Sequence, residues 1–202
     1  IEAARNRVGQ QFIEFDGELQ RLRRLRKVEL DLSSIAKGYA VDVLANALSE
    51  RGIDSFLVEV GGEMRVAGSS PRGDAWRIAV ERPEPGARAV ALGIALEDIA
   101  VATSGDYRNY FELEGRRYSH SIDPRTGYPV AHDLVSVTVL ADDCMTADGW
   151  ATALTVLGAD EALALAEAEG LAVYLMRRDG ERIVPLYSSA FAPWLEQSTP
   201  TQ

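Results

Sequence analysis

Asp31-Leu-Ser-Ser-Ile-Ala-Lys-Gly-Tyr-Ala-Val-Asp42 is the stretch around which the rest of the chain is organised. Ahead of it, Val28, Leu30 and Leu32 alternate with polar residues, which predicts a half-buried strand. Beyond it, Ile35, Ala36, Tyr39, Ala40, Val43, Leu44, Ala47 and Leu48 recur at helical spacing, and Gly52 stands where a C-terminal cap belongs. Ser33 and Ser34 fall at the junction, where a hydroxyl can accept from the orphan amides of a helix start. A strand running into a helix start beside hydroxyls and a lysine is suited to hold an anion such as phosphate. An ordinary serine-capped helix accounts for the same residues.

On either side the pattern is mostly strands. Gln11-Phe-Ile-Glu-Phe15 reads as a strand entering a turn at Asp16-Gly17. Ser55–Val60 reads as another, stopped by Gly61-Gly62 and resumed over Glu63–Ala67, where a glycine pair predicts a bulge or a close approach. Trp76–Val80, two short strands within 88–101, the hairpin Tyr110–Ser119, Val135–Val139 and the hairpin Leu171–Pro185 follow, with Ala102–Asp106 expected as a polar loop. Met145–Leu157 and Asp160–Glu169 are helical, joined at Gly158. Many strands in meanders and about three helices, without βαβ alternation, give an α+β class dominated by antiparallel sheet. No linker rich in Gly, Ser or Pro divides the chain, so a single domain over residues 1–202 is expected.

Composition narrows the function. The chain has 202 residues, 47% hydrophobic and 26% charged, the make-up of an ordinary globular protein. Its formal net charge of −10 argues against nucleic acid as a partner, because a phosphate backbone needs a basic surface. The basic run Arg21–Lys27 is broken by Leu22 and Leu25 and reads as a solvated face. Cys144 is the sole cysteine, so no intrachain disulfide forms; with acidic neighbours and an apolar helix behind it, it reads as a buried structural thiol.

Asp148 and Thr152 are the first candidates for chemistry. Four residues apart on a helix is about 40° of rotation, so both oxygens share one face. A carboxylate and a hydroxyl suit Mg²⁺, which takes one or two carboxylates and completes its shell with water and phosphate. Alternatively Asp148 favours the first helical turn and Thr152 back-bonds to a carbonyl. His120 ends a strand and is placed to shuttle a proton, to contact a phosphate, or to serve as a hydrogen-bonded structural residue. Asp123, before Pro124, reads as an Asx-turn former, and Thr103-Ser-Gly105 as a possible amide nest. His132 is assigned no role.

Five segments resemble, in order, those of the FAD:protein FMN transferases, the ApbE-type flavin transferases. They are Asp31–Asp42, Leu57-Val-Glu-Val-Gly-Gly-Glu63, Ala102-Thr-Ser-Gly105, Tyr118-Ser-His-Ser-Ile-Asp-Pro-Arg-Thr-Gly-Tyr-Pro129 and Ala147-Asp-Gly-Trp-Ala-Thr-Ala-Leu154. The resemblance implies a Mg²⁺-dependent transferase that moves FMN from FAD to a Thr or Ser hydroxyl of an acceptor protein, releasing AMP. It implies Ser34, Asp148 and Thr152 as metal ligands, and FAD contacts from Asp31, Ser34, Lys37 and the backbone of Ile122. His120 becomes the candidate for proton handling or phosphate contact, with Asp148 as a second candidate base. Where the family usually has Gly-Gly or Gly-Ala after Asp-Leu, this chain has Ser33-Ser34. Family members also begin well before the equivalent of Ile1, in a region that contributes to the flavin pocket and carries an export or lipid-anchor signal. The expected setting is therefore periplasmic, as an inner-membrane lipoprotein in the full-length form, flavinylating an acceptor subunit of a redox complex. An FAD pyrophosphatase, with water as nucleophile, and a non-catalytic flavin-delivery factor are the competing expectations.

Overall fold

The computed structural model describes residues 1–83, 89–105, 110–113 and 116–196. The chain opens with a short helix, α1 (Glu2–Arg5), and a hairpin, β1 (Ile13–Asp16) and β2 (Arg21–Arg24). Then come α2 (Ala36–Ser49), β3 (Phe56–Val60), β4 (Glu63–Ala67), β5 (Trp76–Arg82), β6 (Ala89–Leu96) and β7 (Ile99–Gly105). Four shorter strands follow: β8 (Tyr110–Leu113), β9 (Arg116–Ser119), β10 (Ile122–Asp123) and β11 (Tyr128–Pro129). The last part holds β12 (Leu134–Ala141), α3 (Cys144–Leu157), α4 (Ala159–Glu169), β13 (Ala172–Asp179), β14 (Arg182–Tyr187) and α5 (Ala192–Glu196).

Six strands form the central sheet in the order β14-β13-β12-β7-β4-β3, every pair antiparallel. β12 is its buried spine, and its residues alternate between two cores. Val137 and Val139 face α3 and α4 and join Leu154, Ala162, Val173 and Leu175. Leu140 faces the other way with Ile78, Val80, Ile94, Leu96 and the fully buried Phe191, where the β5–β6 hairpin and the C-terminal segment close the far side. α2 covers the β3–β4 end through Val41, Ala45, Phe56 and Val58. The α+β class holds, and the three longest helices among the described residues are the three expected from spacing.

The differences have physical causes. Residues 28–32 form no strand: Val28 is buried, but Leu30 and Leu32 are exposed and the segment has no ladder partner among the described residues. Instead β1 pairs with β2, drawing part of the basic run into a hairpin exposed everywhere but at Ile13. Gly61-Gly62 is not a bulge but the two-residue turn of the β3–β4 hairpin, since Val60 pairs with Glu63. Both glycines have positive φ, +62° and +101°, which this tight turn requires. Ala102–Gly105 is strand rather than polar loop or amide nest, because Ala102 to Gly105 pair in register with Val139 to Ser136. The turn expected at Glu114-Gly115 lies outside the described residues.

Candidate active site

The first turn of α2 is capped from across the molecule. Neither Ser33 nor Ser34 caps it; Ser33 turns back, its N–H and hydroxyl both donating to the Asp31 carboxylate, the former at 2.7 Å. The orphan amide of Gly38 instead donates to Asp148 Oδ2 at 3.0 Å, from a residue 110 positions later. Asp148 is 1% exposed and sits one turn inside α3, whose own N-cap is Asp143, accepting from Thr146 N at 2.7 Å. It therefore serves α2, not the start of its own helix.

Lys37 places its ammonium beside this carboxylate, 3.9 Å from Asp148 Oδ1, while hydrogen-bonding Glu63 Oε1. Glu63 opens β4 and is 1% exposed; burial pushes its carboxyl above the usual range, against the pull of Lys37. Its other oxygen, Oε2, is buried without a hydrogen-bond partner. One turn after Asp148, Thr152 puts its hydroxyl 3.3 Å from Ser104 Oγ on β7. The threonine that back-bonds within α3 is Thr155, to the Ala151 carbonyl at 2.8 Å. Lys37, Glu63, Ser104, Asp148 and Thr152 thus gather where the start of α2 meets α3 over one end of the sheet.

A second exchange holds the two helices together. Asp42 on α2 accepts from the first-turn amides of α3, Cys144 N at 3.0 Å and Met145 N at 2.8 Å, and from Arg65 at 3.0 Å. Each helix therefore lends a carboxylate to the other's start. The approach needs Gly38: a Cβ there would overlap the Cys144 carbonyl and lie 2.7 Å from Met145 Cα. Cys144 is buried and free, its thiol pushed up to about 12 by burial and the surrounding carboxylates.

The remaining expected residues stand on other segments. Ser34 is half-buried one residue before Ile35, whose Cγ2 would be 3.3 Å from a Cβ on Gly149, so this turn abuts α3. Asp31 is exposed, its carboxyl held below the usual range by the bonds from Ser33. It lines a groove of about 810 Å³ with Val8, Ile13, Val28, Leu30 and Ser33. Ile122 opens β10, which packs against α3, and His120 is exposed just past β9. Asp123 forms the expected Asx-turn, accepting from Arg125 N at 2.8 Å. Glu63 and Asp42 are the residues that spacing alone did not single out. The signal for Glu63 was a carboxylate directly after a glycine pair; Asp42 stood at a polar break in the apolar face of α2.

The ApbE family profile matches residues 1–175. The chain is 51% identical over 168 residues to the FAD:protein FMN transferase of Haemophilus influenzae, covering 83% of this chain and 49% of that protein. The chain belongs to the ApbE family. The Salmonella typhimurium FAD:protein FMN transferase is 40% identical over 190 residues, 94% of this chain and 52% of the relative. Among solved structures, the Pseudomonas stutzeri flavinyl transferase ApbE in its apo form superposes with a TM-score of 0.85 at 44% identity, over 96% of this chain and 60% of that one. The Vibrio cholerae flavin transferase ApbE gives 0.86 at 42%, over 96% and 61%. The chain thus spans about half the length of the curated relatives it matches.

The ApbE site is compatible with a hard cation. Its donors are all oxygen: a buried carboxylate, two hydroxyls 3.3 Å apart and a buried carboxylate oxygen without a partner. Among the described residues no cluster of three or more His, Cys, Asp or Glu side chains is arranged for a metal, so the oxygen donors here are one or two carboxylates with hydroxyls.

Proposed function

We propose that this ApbE protein moves FMN from FAD onto a Thr or Ser hydroxyl of an acceptor protein, releasing AMP, with magnesium held at Asp148 and Thr152 and by an oxygen of Ser34. What carries the reading is the buried Asp148 carboxylate between the Gly38 amide and the Lys37 ammonium, in a chain whose curated relatives bear the name FAD:protein FMN transferase.

In the reaction the acceptor oxygen bonds to the phosphorus of the FMN half, the bond from that phosphorus to the bridging oxygen breaks, and that oxygen departs on AMP. The hydroxyl proton passes to a base, His120 or Asp148. Asp31, Lys37 and the Ile122 backbone hold FAD, and Lys37 brings positive charge to its diphosphate. The groove beside Asp31 has room for part of such a ligand. Magnesium, when bound, offsets the charge that develops on the phosphate oxygens. Little covalent work is left to the protein, so positioning and charge dominate.

On this proposal residues 1–202 act as one flavin transferase domain, and the acceptor is a flavoprotein subunit of a redox complex. We further propose a periplasmic setting with a lipid anchor to the inner membrane. No helix among the described residues is long and apolar enough to cross a membrane. Incubating the full-length protein with FAD, magnesium and the acceptor tests the function: FMN should appear covalently on the acceptor with AMP released. Free FMN and AMP would indicate a pyrophosphatase, and neither product a delivery factor.

A further inference from the structure

We propose that Glu63 is a positioning residue that keeps the Lys37 ammonium off the Asp148 carboxylate, leaving that carboxylate free to receive a divalent cation. The inference rests on the magnesium site proposed above and adds a residue to it.

Lys37 has two anions within reach. It hydrogen-bonds Glu63 and stands 3.9 Å from Asp148. An ammonium and a magnesium ion compete for the same carboxylate, because each neutralises it and each repels the other. The backbone arranges the outcome. The Lys37 stem passes over the β3–β4 turn, where a Cβ on Gly61 would lie 3.1 Å from Lys37 Cδ. Glu63 follows that turn at once and takes the ammonium from the sheet side, while Gly38 binds the other Asp148 oxygen from the helix side. Glu63 is itself 1% exposed, so its charge is poorly screened and its hold on Lys37 correspondingly strong. Removing its charge would leave Asp148 as the nearest anion for Lys37.

Calorimetric titration of the full-length protein with magnesium alone, without FAD, reads this directly. Glu63→Gln should weaken magnesium binding by about tenfold, as Lys37 swings to Asp148. Lys37→Met should bind magnesium at least as tightly as the wild type, because the competitor is gone. The double variant Lys37→Met/Glu63→Gln should return to within about threefold of wild type, the signature of two coupled positions. A double variant as weak as Glu63→Gln would overturn the proposal, since Glu63 would then be a ligand or a purely structural group. Weakened binding in Lys37→Met alone would overturn it independently. A wild-type protein that takes up no magnesium would remove the metal reading and this inference together, whereas failure of the variants alone removes only the inference.

Discussion

Asp148 shows how one side chain acquires its character from a distant partner. Its Oδ2 stands in for the missing cap of α2, so the carboxylate is ordered and buried before any ligand arrives. Cys144, four residues earlier, shows the opposite outcome. Burial first, and then the carboxylates of Asp42, Glu63, Asp148 and Asp143, push its thiol up to about 12, so it has no thiolate to offer. The native protein should therefore resist iodoacetamide throughout pH 7 to about 9.5, with no rise in rate on crossing the ordinary thiol pKa, while denatured protein alkylates fully. Mass spectrometry before and after unfolding checks this; rapid labelling of the native chain would contradict it.

The α2–α3 pair is the element on which the site depends. Asp42 and Asp148 exchange caps across it, and Gly38 permits the contact. Asp42→Ala should strip two amides of their partner, leave Arg65 only its bond to Asn46, and cost about 2–4 kcal/mol in chemical denaturation. Arg65→Ala added to it should cost less than the sum of the two single changes, because both remove the same contact. A loss under about 1 kcal/mol for Asp42→Ala would show that water replaces the cap readily. These long-range caps also explain what the sequence left illegible. Helical spacing located α2, α3 and α4, and Gly158, at φ +84°, marked the junction of the last two. Spacing also put Asp148 and Thr152 on one face. It could not show that the α2 start would be satisfied from 110 residues away, so Ser33-Ser34 read as the cap.

Over the whole molecule, the same limit governed the strands. Val28, Leu30 and Leu32 alternate as a strand should, yet alternation reports a half-buried surface and not a ladder partner, and the described residues supply none. Ala102–Gly105 looked like a loop because its residues are small and polar, yet β12 pairs with all four. The small polar character has a use: Ser104 reaches Thr152 and Thr103 reaches Thr138, at 3.3 and 2.9 Å, on opposite faces of the sheet. Phe191, beyond the last strand, closes the far core with Tyr174 and Trp194. Glu63 carried no periodic signal at all, and only the folded hairpin delivers it to Lys37.

The proposed function puts a cation at Asp148 and Thr152. Crystals of the full-length protein soaked in manganese, as a stand-in for magnesium, would locate it by anomalous scattering. The account predicts a single strong peak in contact with an Asp148 carboxylate oxygen and the Thr152 hydroxyl, on the side facing the start of α2. A peak elsewhere, with no metal in contact with Asp148, would contradict it.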